Sequence, residues 1–295
     1  MFHSILVPLD GSTFAEQALP LAASIAERSH GVLHLAVVHP WGPSEDAPRP
    51  GSRTDREVRE DEGAYLNRLI QTVAASYQMP VCEAVLDGST TSGALVEHAR
   101  VKRVDLVVAC THEHGPLWRW LSSGVARQLT HRLRAVVLFI KPHLGSLPIS
   151  LAGFSRILVA LDGSQPAESA VEWGLGLAAP DALVTLVHVA SHSPDNPEQR
   201  RVAQGYLDNL LARGMPHGCR VQTAVLQDRH PAEALVRYAE ARGMDLIVLT
   251  TRANVSLPRA VFGTVADHVL HHSTLPVLVC HAAKVPAHVG SEGGS

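Results

Sequence analysis

The eight residues Ile5–Ser12, ILVPLDGS, return as ILVALDGS at Ile157–Ser164, and no other feature limits the fold as strongly. Each copy opens a longer series that runs in the same order. Tyr65-Leu66 recurs as Tyr206-Leu207, and VDLVVA from Val104 recurs as MDLIVL from Met244. SGVARQL from Ser123 answers GTVADHV from Gly263, and VVLFI ending at Ile140 answers PVLVC ending at Cys280. Repetition at this spacing means a duplicated domain. A chain of 295 residues suits two such domains, each long enough to bury a core without staples. The expected bounds are a first domain over 1–142, a linker over 143–154, a second domain over 155–282 and a disordered tail over 283–295. The first half is longer mainly through the Pro/Gly/charge stretch His39–Asp55.

Within each half, short aliphatic runs alternate with helical patterns. Strands are expected at 4–9, 32–38, 81–86, 105–110 and 135–140, with helices at 12–28, 56–76, 91–102 and 124–132. The second half places strands at 156–161, 183–189, 220–226, 245–250 and 276–280. Continuous Val/Ile/Leu runs such as DLIVLT fit strands buried on both faces, as a parallel sheet requires. The alternation predicts an α/β fold, a doubly wound parallel sheet of five strands in each half. Ligands of such sheets sit beyond the carboxyl ends of the strands, at the topological switch point. Asp10, Asp162, Cys110 and Thr250 all fall at such ends.

Composition removes several classes of function. Net charge is −3 with histidine neutral, so no broad basic field addresses nucleic acid. No apolar run reaches the ~18 residues a membrane span needs. The four cysteines lack CxxC spacing and do not match between halves, which fits reduced, mostly buried thiols rather than a disulfide framework. The chain opens on an amphipathic strand without a charged-then-apolar leader, so a cytoplasmic location is expected.

These ordered repeats resemble the universal stress protein family, twice over and across nearly the whole chain. The resemblance rests on ILVPLDGS and ILVALDGS, on the second strand LVTLVHV, and on the ending DLIVLT…FGTVADHVLHHSTLPVLVC. It implies a Rossmann-like strand order 3-2-1-4-5 in each half and a role in stress response. It also implies ATP or another adenine nucleotide, with Mg, as the ligand of those members that bind one. In them the first-strand aspartate meets the nucleoside, a second-strand apolar residue meets adenine, and a G-x-x-G-x9-G-[ST] loop holds the phosphates. Carried over, the second half supplies Asp162, Val189, Thr250, Ala253, Gly263 and Thr264. The first half supplies Asp10, Val37, Cys110, Glu113, Ser123 and Gly124.

The spacing survives in both copies but most glycines do not. Such a loop turns backbone N–H groups and a helix start toward anionic oxygens. A side chain at a positive-φ position stores about 1–3 kcal/mol of strain. The second half keeps Gly263-Thr264, whereas the first reverses the pair and places Glu113 where phosphate oxygens would sit. The first site is therefore expected to be inactive toward ATP and the second weakened. Asp-Gly-Ser after a strand is equally a good helix start, and that is the plainer role for Asp10.

Other features carry less. LWRW (Leu117–Trp120) reads as a lid or interdomain contact, and Arg252 as a solvated cation. Eighteen histidines include the pair in THEHG and three in HVLHH, but a third metal ligand cannot be named, so no metal site is assigned. His188 reads as packing. No Walker lysine and no spaced catalytic set is present, so no catalytic residue is named. The chain reads as a binding or regulatory module. The alternatives are a nucleotide-dependent sensor or slow ATPase, and a nucleotide-free scaffold for a regulatory protein partner. AVVLFI and PVLVCH would be apolar edges if exposed. Val136–Ile140 is therefore expected to pair with Val277–His281 in an intramolecular pseudo-dimer, which leaves a further homodimer open.

Overall fold

The computed structural model describes residues 2–40, 55–88, 90–110, 135–141, 152–190, 197–214, 218–251 and 263–281. Expected features at the 41–54 loop, the 124–132 helix, most of the linker and the tail lie outside them, as do Glu113, LWRW, Ser123, Gly124 and Ala253. The first half runs β1 (Ser4–Leu9), α1 (Thr13–Glu16), α2 (Leu19–Arg28), β2 (Val32–Pro40), α3 (Asp55–Ala74), β3 (Val81–Gly88), α4 (Thr91–Val101), β4 (Leu106–Cys110) and β5 (Val136–Ile140). The second runs β6 (Phe154–Leu161), a 3-10 turn (Gln165–Glu168), α5 (Ser169–Gly176), β7 (Ala178–Ala190), α6 (Pro197–Ala212), β8 (Arg220–Gln227), α7 (Pro231–Ala241), β9 (Leu246–Thr251), α8 (Thr264–His272) and β10 (Val277–His281).

Every residue of β1, β4 and β5 is buried, as continuous aliphatic strands between helical layers must be. The strands follow the order β3-β2-β1-β4-β5-β10-β9-β6-β7-β8. Each half thus has the expected 3-2-1-4-5 order, but the two sheets are one ten-stranded sheet. The join is β5 against β10, antiparallel, with Leu138 opposite Leu278, Val137 opposite Val279 and Phe139 opposite Val277. A pseudo-twofold axis passes through the Leu138–Leu278 pair, and both leucines are 0% exposed. Pairing removes two apolar edges at once, which is why the halves fuse here. Phe2 meets Trp173 of α5 with ring centroids 5.7 Å apart, and Lys141 Nζ donates to the His271 carbonyl at 2.8 Å.

Two expected elements differ in detail. The 12–28 helix is broken at Gln17-Ala18, and α2 restarts with Pro20 in its first turn, where a missing N–H is harmless. β7 begins at Ala178 rather than near 183, because Phe154 pairs with Ala178 ahead of an irregularity that ends at Arg156. At the amino end of the sheet, Asp105 accepts from the His3 and Ser4 amides, at 2.7 Å for His3. Asp245 accepts from those of Ser155 and Arg156 at 2.7 and 2.9 Å. Burial pushes both carboxyls up, partly offset by those amides. All four cysteines are free; Cys110 and Cys280 are buried, while Cys82 is exposed.

Candidate functional site

The order 3-2-1-4-5 leaves its switch point between the first and fourth strands of each half. β1 pairs with β4 only at Ile5–Leu106 and Leu6–Val107, and β6 with β9 only from Ile157–Leu246 to Val159–Val248. Beyond those residues the strands part and open a crevice at their carboxyl ends. In the second half Ala160 and Leu161 form one wall and Leu249 and Thr250 the other of a cavity of about 270 Å³. Leu235 of α7 and Val265 of α8 close it. A wider cavity of about 700 Å³ adjoins it under α6; Asp162, His188 and Val189 border both.

Asp162 follows β6 and folds back on its own turn. Its Oδ1 accepts from the Ser164 amide at 2.9 Å and the Ser164 hydroxyl at 2.5 Å. Asp10 does the same with Ser12, at 3.0 and 2.5 Å. The intervening Gly11 and Gly163 have φ of +81° and +82°, which the turn requires. Neither aspartate caps a helix directly. Ser12 Oγ accepts from the Ala15 amide at 3.2 Å and caps α1, whereas Ser164 makes no side-chain cap.

His188 has more than a packing role. Its Nδ1 lies 3.0 Å from the Leu161 carbonyl, which can only accept, so Nδ1 donates. Its ring edges Tyr206, with centroids 6.1 Å apart. Thr250 is half-buried at the crevice wall. Gly263 has φ +103° and precedes α8, in which the Asp267 amide is the first to bond back, to the Gly263 carbonyl at 2.9 Å. The amides of Thr264, Val265 and Ala266 are therefore the donors that a helix start presents. Thr264 is exposed, and Val265 reaches the cavity.

The first half shares this frame with different contents. Val37 is not the counterpart of Val189. Leu9 pairs with Val37 while Leu161 pairs with His188, so Val37 corresponds to His188 and Val38 to Val189. Because side chains alternate faces, a one-residue slip selects the wrong side of the sheet. Cys110, matching Thr250, is buried, and burial with the Asp10 carboxylate pushes its thiol up to about 12.

Two further residues repeat near each turn. Glu16 and Glu168 stand six positions after Asp10 and Asp162, in DGSTFAE and DGSQPAE, and face Tyr65 and Tyr206. Both tyrosine hydroxyls are buried without a hydrogen-bond partner of ordinary geometry among the described residues. Burial, then Glu168 and Asp162, pushes Tyr206 up to about 12. The repeated glutamate was the available sequence signal, and only the fold shows that it reaches the tyrosine.

Two doubly wound halves, each with a carboxylate at its switch point and joined through their fifth strands, define a tandem α/β protein of internal twofold design. A model of the universal stress protein family matches residues 1–141 and 153–281, and the chain belongs to that family. Universal stress protein Slr1230 of Synechocystis is 24% identical over 294 residues, which cover 93% of this chain and 98% of that protein. Universal stress protein YxiE of Bacillus subtilis is 27% identical over 146 residues, 43% of this chain and 98% of that one. Among solved structures, a universal stress protein from Archaeoglobus fulgidus superposes with a TM-score of 0.67 at 19% identity, covering 94% of this chain and 96% of that one. Among the described residues no helix is long and apolar enough to cross a membrane.

Proposed function

We propose that the protein is a non-catalytic binding module whose second half takes an adenine nucleotide in the crevice between β6 and β9. The carrying observation is the approach of Asp162, Val189, Thr250 and Val265 around one cavity beside the start of α8. Its volume lies just below the usual range for small-molecule pockets, about 300–1,000 Å³, and the wider cavity adjoins it. Asp162 would meet the ribose and Val189 the base. The phosphates would run toward Ala253, Gly263 and Thr264, where the first-turn amides and the helix dipole favour anions. The wider cavity is the wrong place for them. Asp162 and Glu198 line it, and none of its lining residues is Lys or Arg.

In this reading the first half does not hold nucleotide at Asp10, Val38, Ser123 and Gly124. Binding in the second is micromolar or weaker, since strain of about 1–3 kcal/mol at each non-glycine loop position removes roughly one to two decades. Calorimetric titration with ATP and Mg tests it, alongside mass spectrometry of nucleotide released from denatured protein. Gly263→Val has open space for its side chain but an unsuitable φ of +103°, and should abolish binding. Asp10→Ala should leave binding nearly intact. Equal losses from the two substitutions, or nanomolar affinity, would overturn the reading.

A further inference from the structure

The ten-stranded sheet ends in two edges, β3 and β8, and each pairs on one side only, with β2 and with β7. Hydrogen bonds at the strand ends fix which backbone groups face outward. The Asp228 amide donates to the Ala190 carbonyl at 3.4 Å, and the Gly218 carbonyl accepts from the Asp181 amide at 3.1 Å. Even-numbered residues of β8 therefore turn their amides and carbonyls toward β7. These groups alternate sides along a strand, so those of Val221, Thr223, Val225 and Gln227 point away from the sheet. In β3 the Leu33 amide donates to the Pro80 carbonyl at 2.9 Å, which turns Val81, Glu83, Val85 and Asp87 outward. No residue of β8 is buried, unlike those of the enclosed β1, β4 and β5. An open edge of this length is a template for another strand.

The two edges differ in charge. Element by element, β2 and α4 set His34 and His98 where β7 and α7 set Thr185 and Tyr238. In the same way β3 sets Cys82, Glu83 and Asp87 where β8 sets Gln222, Thr223 and Gln227. Antiparallel self-pairing of β3 would bring Glu83 and Asp87 of both copies onto one face, and like charges there oppose it. Arg59 answers one of these carboxylates, Asp87. Between Arg220 and Asp228 the β8 edge carries no charged side chain.

We propose that β8 is a self-association surface, pairing antiparallel with β8 of a second copy about a twofold axis at Ala224. The outward groups fix the register. A hydrogen-bonded pair must join two outward residues, so Val221 meets Gln227 of the second copy and Thr223 meets Val225. With their symmetry mates these pairs supply about eight backbone hydrogen bonds, two for each pair. Sliding the strands to the next register of the same parity, in either direction, loses one pair. The even residues then face each other in the closer, non-hydrogen-bonded pairs. Ala224 meets Ala224, small enough to sit on an axis, Gln222 meets Leu226, and Arg220 meets Asp228 at both ends. Arg220 is exposed, and its guanidinium has no ion pair among the described residues. Asp228 is held in place by the His230 amide at 2.8 Å and by Arg237. A carboxylate has about four acceptor sites, so it can take a second guanidinium. The assembly closes on itself, because its outer edges are then the two charged β3 strands.

The test uses the full chain as C82S/C219S, which removes the exposed and half-buried thiols. Sedimentation from about 1 to 300 μM should show a monomer passing to a dimer and no further, with a micromolar Kd, because one strand edge is a small interface. T223E/Q227D gives β8 the residue types of the first half's edge and should weaken the dimer at least about tenfold. If circular dichroism shows that chain unfolded, R220E at its exposed position replaces it with the same expectation. Ala224→Cys should cross-link the dimer on mild oxidation, since opposite Cβ atoms on the axis come within reach of a disulfide. Gln222→Cys, which the register sets against Leu226, should not. A monomer at every concentration, a dimer indifferent to the charges, cross-linking at Gln222 rather than Ala224, or species that grow past the dimer would each overturn the proposal. The last would mean head-to-tail pairing of β3 with β8.

Discussion

The two halves agree where the sheet is held together and diverge where it could do chemistry. At the amino end, Asp105 and Asp245 make the same amide contacts, and at the carboxyl end both Asp-Gly-Ser turns close the same way. Contents then separate. The second half sets Thr250 and His188 at its crevice, while the first sets Cys110 and Val37 at the same positions. Under α4 the first half sets a buried and a half-buried histidine side by side, and under α7 the second sets a part-buried Thr–Gln hydrogen bond. The two halves share what each sheet needs in order to fold and differ in what lines the crevice and the helix-covered face.

The comparison is broken most severely at its axis. Leu138→Arg and Leu278→Arg each bury an unpaired charge at the join of the ten strands. Each should destabilise the chain by more than about 4 kcal/mol and unfold both halves in one transition, read by denaturant melting at two probes. A half that keeps its own transition would show that the sheet is two cooperative units.

Acid should separate the halves next. His34 and His98 are depressed in the folded state, so between their folded and unfolded pKa values the unfolded chain binds more protons. Stability is then complete above the ordinary histidine pKa of about 6.5 and falls as pH drops. For His34, held down to about 4, the loss by that pH is on the order of 3 kcal/mol. Exchange of His34, Cys82 and His98 for Thr, Gln and Tyr should flatten this slope in urea melts at pH 7 and pH 5, and no slope in the parent would contradict the burial argument. The smallest contrast lies at the turns. Ser12→Ala removes a helix cap and should cost about 1 kcal/mol, whereas Ser164→Ala, where no cap exists, should cost a few tenths.

Much of the fold was legible because aliphatic runs and period are local. ILVPLDGS and ILVALDGS announce buried parallel strands ending in a turn, and the apolar fifth strands announce their need for a partner. The site was legible only to the end of each strand. Val37 looked like the match of Val189 because both are valines in similar runs, and only pairing with Leu9 and Leu161 revealed the slip of one residue. Asp105 and Asp245 repeat as faithfully in the sequence as Asp10 and Asp162 do. Chain order says that one pair precedes a strand and the other follows one, but not what either pair touches.

By itself the sequence determined the duplication, the α/β class and the strands' carboxyl ends, since these rest on periodicity and on residue types that act over a few neighbours. Tertiary structure decided which residues meet. It fused two sheets into one through Leu138 and Leu278, and it turned His188 toward the crevice by engaging the Leu161 carbonyl. It also brought His34 and His98, 64 positions apart in the chain, to within 5.7 Å. Contacts of that kind depend on register and on helix packing across the sheet, and no local pattern in the chain encodes either.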